Sequence, residues 1–528
     1  LVSPDFFDDY DEDEEILFKL NGRTNPLILN KDLCFILKKN NKILEINWLE
    51  FEKSRVLLEK GRDSKIYQSF LDILLYNVNE EKKQVIDNII EEIKKPESVI
   101  IVDKDKIIPN VTVLDNFNFD NLEEKDVNSF VSHYKFRYNA LKDILVQRAE
   151  LNNVVSINKV LNRKDKSPLG IIGLIQDKKK TQNGHILLQL EDPTGVITVL
   201  INKDRDHVFR LAENLVLDEA IGITGVGNGE IVFCDNIYFP DIPLTKEIKK
   251  SPEDVAAAFI SDIHVGSKNF LEREFVKFIQ WLNAEKGDKK QIESAKKIRY
   301  LFLIGDLVEG VGVYPDQFDN LTIKDVAKQY DRLAEYLDMI RKDIYLIVSP
   351  GDHDALRLEH PQPVLDKKIA SKLWDLKNIV MVSNPAFVNI HSSQNFPGFN
   401  ILMYHGHGYH YYMGSVDPLK MKDVSHNPRH VMSFLLQKRH LAPTHTSTIY
   451  VPDHKEDPLV MKRVPDIFVS GHLHKSDVSS YNNVITINSS CWQSQTDFEI
   501  KVGNFPDPCK VPVLNLKTRE VEVLDFND

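Results

Sequence analysis

Cysteine is scarce. The chain has four in 528 residues (Cys34, Cys234, Cys491 and Cys509), scattered and with no CxxC pair. That excludes a disulfide framework and fits a reducing compartment. No apolar run reaches the roughly 18 residues that suggest a membrane span, so a cytoplasmic protein with no membrane partner is expected. The opening LVSPDFFDDYDEDEE lacks the apolar core of a signal peptide. The chain begins at Leu1 rather than Met, so the true N-terminus is expected to be missing. An excess of positive charge is lacking too: 67 Lys and Arg face 79 Asp and Glu, a net charge of −12. Free nucleic-acid binders are usually basic, because phosphate neutralisation supplies most of their affinity. A role on nucleic acid would need a local basic patch or a basic partner.

What is present is a soluble globular composition, 42% hydrophobic and 28% charged. At roughly 100–200 residues per domain, the length suggests two to four domains. Residues 1–75 read as a small N-terminal domain whose run DDYDEDEE is a solvated acidic arm. Residues 76–150 read as a helical linker region, with apolar spacing of helical type in 76–98 and 122–148 and a Pro- and Asn-containing linker over 103–121. From 151 to 243 the pattern changes to five short strands, GIIGLIQD, HILLQLED, GVITVLIN, AIGITGVG and EIVFCDNIYF. A helix-like DHVFRLAENL lies between the third and fourth. This fits a Greek-key barrel of the oligonucleotide-binding (OB) type. Lys178, Lys179 and Lys180, placed in the loop between its first two strands, are candidates for holding a nucleic-acid strand, with a solvated lysine turn as the alternative. Residues 240–252 (PDIPLTKEIKKSP) look like a hinge. Residues 256–528 then alternate strands and helices in α/β fashion.

In this last region apolar strands repeatedly end in metal-type side chains: Asp262 and His264 (SDIH), Asp306 (IGDL), Asp352 and His353 (PGDHD), His405 (MYHGH), and His472 and His474 (SGHLH). Ligands of open α/β sheets gather at such carboxyl ends. Mixed Asp and His donors suit Mn²⁺, Fe²⁺ or Zn²⁺ rather than Mg²⁺ alone. Two such cations roughly 3.5–4 Å apart clamp the attacking and leaving oxygens in phosphate chemistry. Gly305, Gly351 and Gly471 are expected to let the backbone turn sharply beneath the ligands. A second histidine group, His407, His410, His426, His430, His440 and His445, lacks close ligand spacing and is expected to face DNA or a partner. Tyr409, Tyr411 and Tyr412 are candidates for stacking on an unpaired base. Lys438, Arg439 and Arg357 are candidates for phosphate.

The ordered set DxH, GDx, GxHD, strand-end His and GHxH resembles the calcineurin-like (Mre-type) metallophosphoesterases. More closely, SFLLQKRHLAPTH (433–445), EDPLVMKRVPDIFVSGHLH (456–474) and INSSCWQSQTDF (487–498) resemble the small subunits of archaeal family D DNA polymerases. The preceding barrel and the helix FVSHYKFRYNALKDILVQR match that family's domain order, so the resemblance covers roughly residues 75–528. It implies a multidomain α/β plus all-β architecture: an OB-fold barrel followed by a calcineurin-like phosphoesterase domain, a four-layer αββα sandwich. It implies a metal-dependent 3′→5′ DNA exonuclease that proofreads during replication. The partner would be a large polymerase subunit carrying the nucleotidyl-transfer site, in a heterodimer acting on DNA 3′ ends. A sliding clamp or primase would be met through the holoenzyme. By position, Asp262, His264, Asp306 and His474 would hold one metal, Asp306 would bridge, and Asp352, His405 and His472 would hold the second. His353 would sit beside the scissile phosphate as the catalytic imidazole.

One letter departs from the family pattern. Asp352 stands where the family has Asn. A carboxylate keeps the shape and the metal-facing oxygen, adds a negative charge and removes the amide donor. In the related eukaryotic polymerases the corresponding accessory chain has lost several metal residues and the domain only scaffolds. Here the other six donors and His353 remain, so an active nuclease is expected, with a silent scaffold and a free-standing phosphoesterase as the alternatives.

Overall fold

The computed structural model describes residues 110–117, 125–163, 165–421, 427–452 and 456–527. The expected N-terminal domain over 1–75, the helical segment 76–98 and His426 lie outside the described residues. Two elements precede the barrel: the strand β1 (Val111–Asp115) and the helix α1 (Val127–Leu145). Asp126 starts α1 because its carboxylate accepts the Ser129 amide at 2.9 Å, while the Ser129 hydroxyl accepts the Asp126 amide in return.

The alternating apolar residues that follow form β2 (Pro168–Lys180), β3 (Ile186–Asp192), β4 (Gly195–Ile201), the helix α2 (Asp206–Glu213), β5 (Ala220–Gly227) and β6 (Ile231–Tyr238). The five strands close into a barrel in the order β2-β3-β4-β6-β5. Ile171, Ile175, Leu188, Leu190, Val199, Ile201 and Ile223 point inward at period two and fill it. Lys178, Lys179 and Lys180 are the last residues of β2, paired with β3, and not a loop.

The α/β region runs through β7 (Ala256–Ile260), α3 (Glu272–Leu282), α4 (Lys289–Lys297), β8 (Ile298–Ile304), α5 (Val326–Asp338), β9 (Tyr345–Ser349), β10 (Ile379–Met381), β11 (Ala386–Ile390) and β12 (Phe399–Met403). It continues with α6 (Tyr409–Ser415), α7 (Arg429–Lys438), β13 (Ile467–Ser470), β14 (Asp477–Tyr481), β15 (Val484–Asn488), β16 (Lys510–Asn515) and β17 (Val521–Asp525). These strands, with β1, make two six-stranded sheets, β10-β9-β8-β7-β16-β17 and β1-β11-β12-β13-β15-β14. Ala257, Phe259, Tyr300, Phe302 and Ile304 of the first sheet meet Val388, Ile401, Met403, Val469 and Ile487 of the second. The opposite face of the first sheet, through Ala258, Leu301, Leu303 and Leu346, covers Phe275, Phe278 and Leu333 of α3 and α5. Leu402 and Phe468 on the outer face of the second sheet cover Tyr412 and Leu435 of α6 and α7. The central strands are therefore buried on both faces, which is why YLFLI of β8 and IFV of β13 are unbroken apolar runs rather than alternating ones.

Two connections differ from their sequence reading. Within the expected linker 103–121, Val111–Asp115 is an edge strand, antiparallel to β11. Its three consecutive β-branched residues outweigh the flanking Pro and Asn. The expected hinge 240–252 is pinned: Lys246 and Lys249 both hold the buried Asp466, at 2.6 and 2.7 Å, and Asp241 accepts the Tyr481 hydroxyl at 2.8 Å. Among the described residues no helix is long and apolar enough to cross a membrane.

Helix α1 is tied down by a buried charge. Arg137, fully buried, donates Nε–H to Asp457 Oδ2 at 2.6 Å and Nη1–H to the Pro443 carbonyl at 2.6 Å. His440 lies 2.9 Å from the same carboxylate through Nε2, while its Nδ1 accepts the Ala442 amide at 3.0 Å. That pattern requires the neutral imidazole with its proton on Nε2. Burial, and then the nearby Arg137 charge, push the His440 pKa down to about 4 from an ordinary 6.5. Between those values the unfolded chain binds the proton and the folded chain does not. The unfolding free energy is therefore expected to fall as pH drops from 6.5 towards 4, and His440→Gln to flatten that decline. Urea unfolding at a series of pH values checks this; an unchanged slope in the variant would contradict it.

Candidate metal centre

Asp262 and His264 follow β7, Asp306 follows β8, Asp352 and His353 follow β9, His405 follows β12, and His472 and His474 follow β13. The first three strands belong to one sheet and the last two to the other, so the site lies where the carboxyl ends of both sheets meet. Four sets of donors converge to within 4.8 Å: Asp262–His264–His474, His264–Asp306–His353, Asp262–Asp306–His405 and Asp352–His405–His472. Asp306 Oδ2 lies 3.3 Å from His405 Nε2 and 3.9 Å from His264 Nε2, between the two halves of the cluster. His472 Nδ1 lies 3.2 Å from Asp352 Oδ2.

The backbone is bent to achieve this. Asp262, His264, Asp306, His472 and His474 all have φ between 48° and 70°, the left-handed region that side-chain-bearing residues avoid at roughly 1–2 kcal/mol each. Gly305 supplies a further positive φ of 77°, and a Cβ there would lie 2.4 Å from His405 Nδ1. Gly351 and Gly471 have ordinary φ. Glycine is required there by space, since a Cβ would lie 2.4 Å from Asp306 Oδ1 and 2.6 Å from Asp262 Oδ2 respectively.

Outer carboxylates orient the histidines. Glu309 Oε2 lies 3.0 Å from His264 Nδ1 and accepts the Gln493 amide at 3.1 Å, while Oε1 accepts the Tyr314 hydroxyl at 3.0 Å. Its backbone carbonyl lies 2.9 Å from His353 Nδ1. Glu499 Oε1 lies 2.9 Å from His474 Nδ1, and Oε2 accepts the Thr496 amide at 2.9 Å. Neither glutamate stood out in the sequence. Glu499 had a signal, the T-x-x-E capping box TDFE. Glu309, three residues after Asp306, had none. Asp354 points away from the donors and pins the loop, accepting the Tyr330 hydroxyl at 2.9 Å and the Gly351 amide at 2.8 Å.

The cavity stabilises positive charge. Burial alone would raise the pKa values of Asp262, Asp306 and Asp352, but the facing imidazoles hold all three below the ordinary carboxylate range. Burial disfavours charge on His405, yet the adjoining Asp306 outweighs it and holds that imidazole well above its ordinary value. His405 Nδ1 lies 2.8 Å from the Ile304 carbonyl, and its buried Nε2 has no hydrogen-bond partner. His264 and His474 face each other Nε2 to Nε2 at 3.3 Å, each with Nδ1 against a glutamate. Two lone pairs so placed would repel, so either a proton on one Nε2 or a metal cation between them is needed. The donors present therefore fit divalent metal ions of the kind that accept carboxylate and imidazole together.

Several expected nucleic-acid contacts are engaged elsewhere. Lys438 is buried against Glu219, 2.7 Å away, with its ammonium 4.0 Å from the Phe239 ring centroid. Arg439, also buried, donates to the carbonyls of Met461 and Lys462 at 2.8 and 3.0 Å. Lys178 donates to the Glu213 and Leu215 carbonyls at the C-terminal end of α2, and burial pulls its pKa down to about 8. Lys179 and Lys180 are exposed, beside Asp177 and Glu213. Arg357 donates to the Pro361 carbonyl of its own loop at 2.8 Å. Tyr409 and Tyr412 are fully buried core residues, which excludes base stacking. The second histidine group divides. His407 lies 2.9 Å from Asp352 and His410 packs 5.0 Å from the His472 ring, whereas His440 serves the Asp457 network and His445 lies 2.9 Å from the Tyr450 hydroxyl.

Residues 257–478 match a family model that describes the B-type subunits of DNA polymerases alpha and epsilon. The chain is 38% identical to the DNA polymerase II small subunit of Pyrococcus furiosus over 76% of its own length and 64% of that protein. It is 35% identical to the subunit of the same name from Methanothermobacter thermautotrophicus over 74% of its length and 78% of that protein. The chain thus spans just under two thirds of the Pyrococcus subunit. A solved archaeal phosphodiesterase aligns with 51% of this chain and 99% of its own at 12% identity and a TM-score of 0.26, too slight a likeness to bear on activity.

Loss of an outer-shell partner typically lowers metal affinity by roughly 10–100-fold. Glu309→Ala is expected to weaken Mn²⁺ binding by about that factor, and Glu309→Gln, which keeps an acceptor for His264, by less. Calorimetric titration with Mn²⁺ checks this; equal affinities across wild type and both variants would contradict it.

Proposed function

Because the chain belongs to the family of archaeal DNA polymerase II (family D) small subunits, we propose that it is the small subunit of a replicative DNA polymerase and that its Asp–His cluster is a metal-dependent 3′→5′ exonuclease centre. The observation that carries the nuclease reading is the convergence of three buried or nearly buried carboxylates and their histidines, from five strand ends, into four overlapping donor sets, two of which contain Asp306. The two face-to-face sheets with outer helices suit a calcineurin-like phosphoesterase domain over 256–528, and the closed barrel suits an OB domain over 151–243.

In this reading Asp262, His264, Asp306 and His474 hold one divalent ion and Asp306, Asp352, His405 and His472 the other, with Mn²⁺ favoured. When bound, the pair supplies positive charge that polarises the phosphodiester and acidifies water. The chain's own groups do the rest. Glu309 holds His353 by Nδ1 and leaves Nε2 for the scissile phosphate, to stabilise its charge or protonate the leaving 3′-oxygen. Lys178, Lys438 and Arg439 are engaged within the protein and the net charge is −12. The grip on the DNA backbone therefore falls to a basic partner, the large polymerase subunit of the heterodimer, through which a sliding clamp or primase is reached in the cytoplasm.

Asp352 favours a second reading, a silent scaffold. Its side chain is largely buried and ionised, and its Oδ1 has no donor, so it sets a negative charge where a phosphodiester must approach. The full chain with its large subunit and Mn²⁺ is expected to release nucleotides from a mismatched 3′ end, Asp306→Asn to abolish this, and Asp352→Asn to leave it intact. Undegraded ends with wild type would end the nuclease reading. A silent wild type that begins to cut as Asp352→Asn would establish the scaffold.

A further inference from the structure

The loop 309–321, which sets Glu309 behind His264, also carries apolar side chains that packing leaves in the open. Val311, Val313 and Phe318 are 40%, 41% and 54% exposed, and Tyr314 is half-buried. The loop is braced. Gln317 is buried, donates Nε2–H to the Glu309 carbonyl at 2.8 Å and accepts the Val313 amide through Oε1 at 2.9 Å. The Gly310 amide donates to Gln329 Oε1 at 2.8 Å, and the Asn320 carbonyl accepts the Lys268 amide at 2.9 Å. This loop lies against the imidazole assigned to the leaving 3′-oxygen. A Cβ at Gly310 would stand 2.3 Å from the His353 carbonyl oxygen and 2.7 Å from Val313 Cγ2, so Val313 sits beside the His353 backbone. The Tyr314 and His353 ring centroids are 6.2 Å apart, and the Tyr314 hydroxyl donates to Glu309.

Charge selects what could cover these residues. Lys324 sets its ammonium 4.1 Å from the Phe318 ring centroid, and Lys268 is exposed nearby; neither has a carboxylate partner among the described residues. Asp316 and Asp319, exposed on the same loop, oppose a phosphate lying along it. The fitting occupant is therefore flat and neutral, with its anionic groups held at the margin by the lysines. A strand that presents a phosphodiester to His353 must also bring the neighbouring bases within reach of Tyr314.

We propose that Tyr314 and Phe318, with Val311 and Val313, form a stacking shelf for the unpaired bases beside the scissile phosphodiester, and that this shelf selects frayed or single-stranded 3′ ends. The inference rests on the nuclease reading and names the base-recognition surface of that same site. A base in a duplex must leave its pair to reach the shelf, and that cost is least for a mismatch. A base stacked on an aromatic ring gains about 5–100-fold in affinity, with little regard for sequence, because every base has a π-face. The braced loop loses little freedom when it binds. Tyr314 has two tasks, its ring for the base and its hydroxyl for Glu309, and Tyr314→Phe separates them.

The test uses the full chain with its large subunit and an oligonucleotide whose mismatched 3′ end carries 5-iododeoxyuridine in its last two nucleotides. Ultraviolet cross-linking without divalent metal, read by mass spectrometry, requires no cleavage. Cross-links at Tyr314 or Phe318 are expected. With Mn²⁺ and the unmodified end, Phe318→Ala and Tyr314→Ala are each expected to raise KM about 5-fold or more, and Tyr314→Phe to raise it less. An abasic nucleotide beside the scissile phosphate is expected to raise the wild-type KM and to remove the difference between wild type and Phe318→Ala. Cross-links confined to the large subunit or to other parts of this chain would overturn the shelf, as would a wild-type KM in both alanine variants. Either result with an active wild type refutes the shelf alone. An inert wild type that still cross-links at Tyr314 or Phe318 refutes the nuclease reading and supports the shelf as a surface for unpaired bases.

Discussion

Three carboxylates, Asp262, Asp306 and Asp352, crowd into one buried cavity, and an apolar interior does not tolerate three uncompensated negative charges. Much of the surrounding structure answers that constraint. Histidines from four strand ends face the carboxylates, and the ligand-bearing turns adopt left-handed backbone to bring them there. Glu309 and Glu499 stand behind His264 and His474 and turn their Nε2 atoms inward. The two sheets supply the rigidity, since their buried central strands end at the same edge. In the proposed reading a pair of divalent ions would complete the balance of charge, and the same positive charge would suit a phosphodiester.

Several of the chain's own cations are spent on assembly. Lys438 ties α7 to Glu219 of the barrel region, Lys246 and Lys249 clamp the connecting segment onto Asp466, and Arg137 joins α1 to Asp457. Each is a buried or partly buried pair whose removal on one side strands a charge, a far larger cost than breaking a surface ion pair. The barrel and the sheets are joined through charge as well as apolar contact.

The donor set was legible in the sequence because each member follows an apolar strand, and a strand end fixes where the next side chain falls. SDIH, IGDL, PGDHD, MYHGH and SGHLH all reach the site for that reason. The barrel was legible from its period of two and its turn residues. The roles of Lys438, Arg439 and Lys178 were not. A basic residue in sequence carries no sign of whether its partner is phosphate, a distant buried carboxylate or a carbonyl beyond a helix end. The same holds for Tyr409 and Tyr412, whose spacing is equally that of a helix burying one face. Asp352 read as a possible defect when compared letter by letter. The structure places His407 against it, a contact set by Gly406 that residue types alone do not reveal.

The central claim is that the cluster holds two cations that share Asp306. Anomalous scattering at the manganese edge from Mn²⁺-loaded crystals tests it most directly. Two peaks are predicted, one among Asp262, His264 and His474 and one among Asp352, His405 and His472, both in contact with the Asp306 carboxylate. A single peak, no peak, or a peak away from Asp306 would contradict the account.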